Sequence, residues 1–217
     1  MKALVLAGDY WHPMEVVKRG LLDPAYEGWE FDFVEDAKDI LTPEFLKDYP
    51  LVIMCKGNNL TEANQTPWME DEVTEASTED FAAYVEAGGG LLVVHSGTTF
   101  GAHGAGPMAD LVGCTFIRHP KRCDVEVSVL KDHPITAGVE TFTVRDEHYE
   151  IRMNREDADL LLQSVSATGG TQIAGYAFTR GEGRIAALTP GHILSVWKHP
   201  EFIRLLKNAM AWCVKEA

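Results

Sequence analysis

The sequence is short of positive charge. Nineteen Lys and Arg residues face 33 Asp and Glu residues, for a formal net charge of −14. Nucleic acids and anionic membranes are bound through a basic footprint, so neither is expected as a partner. Cysteine is sparse. Cys55, Cys114, Cys123 and Cys213 form no C-x-x-C pair, which argues against a zinc ribbon, a redox motif or a disulfide framework. Free thiols suit a reducing compartment. No apolar run approaches the roughly 20 residues of a membrane span. The strand-like segment after Met1 is too short for a signal-peptide core, so a cytoplasmic location is expected. The sequence has no G-x-G-x-x-G between a strand and a helix, and no P-loop lysine. The eight histidines include no H-x-x-H or H-x-x-x-H pair.

What is present reads as a soluble α/β protein. The 217 residues are 46% apolar and 24% charged, which suits one large domain over residues 1–217. Short aliphatic runs recur at Ala3–Ala7, Leu51–Cys55 and Leu91–Val94. Such runs suit strands covered on both faces. Helical patterns lie between them, opening near Pro13, at Thr42-Pro43 and at Ser77 or Thr78. This β-α-β-α-β rhythm predicts a mostly parallel sheet between two helical layers. Trp29–Val34 alternates as the second strand of this rhythm; strands are further expected over Asp124–Leu130 and Phe142–Glu150, and three more over Leu160–Val165, Ile173–Phe178 and Arg184–Leu188, in part antiparallel. A closing helix with an apolar stripe begins at Pro200. Residues 56–76 are acidic and break the rhythm. Trp68 and Met69 there leave a homo-oligomer contact, a lid and a plain solvated insertion all open.

The organising stretch runs from Gly88 to Gly106: a helix stop, a buried strand, then His95 and Ser96 and a glycine-rich turn. In parallel sheets, ligands bind beyond the carboxyl ends of the strands, where His95 falls. Leu188-Thr189-Pro190-Gly191-His192 repeats that logic, so two histidines could converge. His12, after the first strand, is placed to reach the same end. Arg145 to Glu150 is an acidic cluster. Alternation along one strand would put Asp146 and His148 on one face and Glu147 and Tyr149 on the other. A buried carboxylate there would need a partner, such as His95 or His192. His133 and His199 precede prolines and read as turn and helix-boundary residues.

These pieces together resemble the ThuA-like (trehalose utilisation) family, within the class I glutamine amidotransferase-like superfamily. The matching segments are residues 88–96, Asp132-His133-Pro134-Ile135-Thr136-Ala137-Gly138, Asp146-Glu147-His148-Tyr149, residues 183–192 and the C-terminal helix through Trp212. The resemblance implies a flavodoxin-like three-layer α/β/α fold. It places His95 where the amidotransferases carry their nucleophilic cysteine, so glutamine hydrolysis through a thioester is not expected. It implies a small-molecule sugar as substrate, trehalose and keto-glycosides among them. On that reading His95, His192, Asp146 and Glu147 are the catalytic candidates, with the histidines as acid and base and a carboxylate orienting one of them. Ser96, Tyr149, His12 and Trp11 are the substrate-binding candidates. Histidines and carboxylates together also suit zinc or another divalent metal, with His95 and His192 as its first ligands. The alternatives are a metal-dependent hydrolase or isomerase at that site, and a non-catalytic ligand-binding domain.

Overall fold

The computed structural model describes residues 1–9, 11–35, 40–57, 78–99 and 106–216. Its main sheet begins with β1 (Lys2–Ala7), β2 (Glu30–Val34), β3 (Leu51–Cys55) and β4 (Gly90–Val94). These run parallel in the order β2-β1-β3-β4, and β11 (Gly183–Leu188) joins parallel to β4. The aliphatic runs form these strands because both of their faces are covered. Ala3, Val5 and Ala7 enter one core, and Leu4 and Leu6 the other. The first core is closed by α1 (Met14–Leu21), α5 (Leu194–Trp197) and α6 (Pro200–Cys213). The second is closed by α2 (Pro43–Leu46), α3 (Thr78–Glu86) and α4 (Pro107–Val112). The result is the expected α/β/α layering.

The other half of the sheet is antiparallel. Beyond β11 follow β10 (Gly170–Arg180), β9 (Asp159–Ser166), β6 (Cys123–Val129) and β7 (Phe142–Asp146). The expected stripe on α6 is buried, from Phe202 through Leu205, Leu206, Ala209 and Met210 to Cys213. The large members of the stripe, Phe202, Leu205, Leu206 and Met210, each contribute about 1.5–3 kcal/mol on leaving water. His199 caps this helix, its Nδ1 accepting the Glu201 N–H at 3.3 Å. His133 does the same for Ile135 at 3.1 Å. Both are the boundary residues that their prolines suggested.

Two elements differ from the sequence reading. The strand expected over Phe142–Glu150 ends at Asp146, and the chain resumes as β8 (Glu150–Met153) outside the main sheet. There it pairs antiparallel with β5 (Cys114–Arg118), a strand that the sequence did not reveal. The break follows from pairing: β6 supports its neighbour only as far as Asp146, opposite Cys123. The segment with Trp68 and Met69, and His103 in the glycine-rich turn, lie outside the described residues.

Candidate metal centre

Three turns at the carboxyl ends of β1, β4 and β11 build the site. In the first, the Asp9 carboxylate accepts the backbone N–H groups of Trp11 and His12, both at 2.9 Å. This tightens the turn and brings the His12 ring to the same carboxylate, Nδ1 to Oδ1 2.7 Å. In the second, His95 follows β4 with φ +48°, a left-handed conformation for a residue with a Cβ. Such a residue costs of order 1–3 kcal/mol. Surrounding contacts fix it there. Thr98 Oγ1 donates to the His95 carbonyl at 2.7 Å, and a Cβ on Gly97 would collide with the Met54 carbonyl. In the third, the Asp146 carboxylate accepts the N–H groups of Gly191 at 2.8 Å and His192 at 3.1 Å. Trp197 Nε1 donates to the Gly191 carbonyl at 2.7 Å. Asp146 therefore partners backbone rather than a histidine side chain. It holds the turn that presents His192.

Glu147 comes from the segment after β7. Its Oε2 lies 3.2 Å from His192 Nδ1 and 3.5 Å from His95 Nε2. One ligand atom from each of His12, His95, Glu147 and His192 falls within 4.8 Å of all the others. Four donors around one tetrahedral ion at about 2.0–2.2 Å lie about 3.3–3.6 Å apart, so the widest pairs of the set would close by about 1 Å to share it.

The outer contacts fix which nitrogens face inward. A carbonyl only accepts, so His95 Nδ1, 2.7 Å from the Thr189 oxygen, carries the hydrogen and leaves a lone pair on Nε2. His12 Nδ1–H donates to Asp9 in the same way and turns its Nε2 inward. Partners of this kind orient histidines that bind metals. Among the described residues, the buried His95 Nε2 and His192 Nδ1 have no aligned hydrogen bond. Burial lowers the His12 pKa below the ordinary value, outweighing the raising effect of Asp9. Burial alone would raise the Glu147 carboxyl, but N–H donation and positive charge from protonated His192 and His95 would hold it well below the usual range in the metal-free chain. A divalent ion requires an ionised carboxylate and neutral imidazoles, so its binding would displace any proton that His95 or His192 shares with Glu147.

The structure brings five of the sequence-selected residues to this cluster: His12, His95, Glu147, His192 and Tyr149. The Tyr149 ring stacks on His95, centroids 4.1 Å apart, with its hydroxyl 3.4 Å from His12 Nε2. Burial, with the negative charge of Glu147, Asp9 and Asp146, raises its pKa and keeps it protonated. Ser96 is buried, its hydroxyl donating to the Cys55 carbonyl at 2.5 Å. Trp11 stands 70% exposed beside His12. The alternation expected across residues 146–149 does not hold, because the strand has ended. His148 turns away and lies between Ser166 at 2.7 Å and Ser164 at 2.9 Å. The sequence reading missed Asp9, whose signal was a carboxylate three residues before a histidine in a strand-end turn. It also left unassigned His119, whose Nε2 lies 3.7 Å from Glu147 Oε2.

The family model described as ThuA, trehalose utilisation, matches residues 2–213. The chain belongs to the ThuA family. No curated protein matches the sequence. Among solved structures, a ThuA-like protein from Bacteroides uniformis is 20% identical with a TM-score of 0.72, covering 98% of this chain and 91% of that one. A ThuA-like protein from Parabacteroides merdae is 17% identical with a TM-score of 0.76, covering 100% and 90%. A cytoplasmic protein from Salmonella typhimurium is 13% identical with a TM-score of 0.67, covering 98% and 99%. Each shares the fold. This ThuA chain has no thiol at the strand-end position, which His95 occupies. Its Cys55, Cys114 and Cys213 are buried, and burial pushes the Cys114 thiol up to about 11.

Proposed function

We propose that this ThuA-family chain is a divalent-metal-dependent enzyme acting on a small carbohydrate, by hydrolysis or isomerisation. The observation that carries the proposal is the convergence of His12, His95, Glu147 and His192. An ion there would supply Lewis-acid polarisation of a sugar oxygen or an activated water. In this proposal the inward nitrogens of His95 and His192 serve as ligands instead of as an acid–base pair. Asp9 and Thr189 orient the rings, and Asp146 holds the His192 turn. The sugar is supported by the family's description and by the exposed Trp11, an aromatic face suited to a pyranose ring. The acidic balance disfavours nucleic acid and anionic membrane as partners. A cytoplasmic setting is supported by the description of the Salmonella relative. Among the described residues, no helix is long and apolar enough to cross a membrane.

The test is the metal content of tag-free wild type and His95→Ala, followed by turnover of trehalose and keto-sugars with and without a chelator. A stoichiometric ion, lost in the variant, with chelator-sensitive turnover is the expected result. Turnover by metal-free wild type would overturn the proposal.

A further inference from the structure

One imidazole at this site faces solvent. The side chains of His12, His95 and His192 are 12%, 3% and 17% exposed, whereas that of His119 is 36% exposed. His119 lies just past β5, where Arg118 pairs with Glu150 at 2.7 Å and anchors the loop to β8. Its Nδ1 lies 2.9 Å from the Pro120 carbonyl, so that nitrogen carries the hydrogen, and in the neutral ring Nε2 presents a lone pair. Its ring runs nearly parallel to Tyr149, centroids 5.5 Å apart and planes at 27°, and tilts against Phe116 at 6.1 Å. These contacts aim Nε2 toward Glu147 Oε2, 3.7 Å away. Yet His119 is not in the set of four converging donors. Two acceptors facing each other across that distance leave their lone pairs unmatched. A hydroxyl group brought in by a ligand would satisfy one of them.

We infer that His119 is a substrate-positioning residue, accepting the O–H of a polyhydroxyl ligand at the mouth of the site. It sets which hydroxyl faces the four converging donors. This rests on the metal-centre reading and adds a residue that touches the ligand without touching the ion. It also gives the site a stated chemical class of ligand, a neutral polyol presenting a hydroxyl as donor.

The experiment uses the Co(II)-loaded full chain, with D-glucose as probe, read by the visible spectrum of the ion and by calorimetry. His119→Ala and His119→Gln are compared with wild type. The glutamine amide oxygen restores an acceptor near the position of Nε2. The expected result is unchanged metal content in both variants, and glucose affinity lowered about tenfold in His119→Ala, the upper end for one neutral hydrogen bond. His119→Gln should recover part of the loss. Equal affinity in wild type and His119→Ala would overturn the inference. So would loss of the ion in His119→Ala, which would make His119 a ligand, or a loaded wild type that gives no response to glucose. A wild type that retains no metal overturns the metal-centre reading itself, and that outcome is distinct from the others.

Discussion

Replacing Asp9 with Asn tests how the centre is tuned, because it changes charge and little else. Asp9 Oδ1 accepts three N–H groups: those of the Trp11 and His12 backbone and of the His12 ring. The Asn carbonyl oxygen can accept the same three, so the turn should persist. What is lost is the anion behind His12, which makes the inward nitrogen a stronger donor. Removing an outer partner of this kind typically costs 10–100-fold in metal affinity, or about 1.4–2.7 kcal/mol. Both side chains are largely buried, 7% exposed for Asp9 and 12% for His12, so solvent screens the pair weakly. That places the effect toward the upper end. The loss of Asp9 also lowers the His12 pKa further, which eases proton competition and offsets a small part of the cost. The assay is competition against a chromophoric zinc chelator at pH 7.5, with thermal unfolding of the metal-free proteins alongside. Asp9→Asn should bind zinc 10–100-fold more weakly and melt within about 4 °C of wild type, as expected when stability changes by less than about 1 kcal/mol. Affinity within twofold of wild type would refute the reasoning. A collapse in melting temperature would show that Asp9 serves the turn and not the ring.

Further outcomes follow from the same contacts. Glu147→Gln removes the anionic member of the converging set, so purified protein should lose stoichiometric metal while its circular dichroism is unchanged. Gly191 has φ +146°, and a Cβ there would lie 3.0 Å from the His95 Cβ. Gly191→Ala should therefore lose about 1–3 kcal/mol in denaturant unfolding and displace His95 from the cluster. Asp146→Ala leaves the N–H groups of Gly191 and His192 without their acceptor, at about 1–3 kcal/mol each. Asp146→Asn should fall between it and wild type in the same unfolding assay. The pH dependence has a definite sign. His12 titrates lower folded than unfolded, so its contribution is complete above about pH 6.5 and is lost as pH falls through the folded value. Glu147 is likewise depressed, and its contribution is lost on deeper acidification. Metal loading and the stability of the metal-free chain should both decline from pH 7.5 to 4; a flat or rising melting temperature would contradict this.

β1, β3 and β4 could be read from sequence because each is a local aliphatic run needing no knowledge of its partner. His95 and His192 could be read for the same reason, since a polar residue ending such a run marks the strand's carboxyl end. The roles of Asp146 and Glu147 could not. The alternation rule assumes that the strand continues, and this one stops where β6 ceases to pair with it. Asp146 then turns to backbone N–H groups 45 and 46 residues away, contacts without a local signature. β5 and β8 were hidden similarly, since each is short and, among the described residues, finds its only strand partner in the other. His119 enters the site through that pairing, so it could not be placed before the pairing was known.

The four converging side chains are drawn from widely separated stretches of the chain, His12 near its beginning and His192 near its end. An ion among them would act as a rivet through the molecule. It would join the turn after β1, the turns after β4 and β11, and the exit of β7, closing loops that span almost the whole sequence. Closing loops of that length restricts the unfolded chain. Chelation should then do more than stop chemistry: it should free the antiparallel half, β6, β7 and β9, to open before the parallel half. Amide exchange in those strands would speed up first.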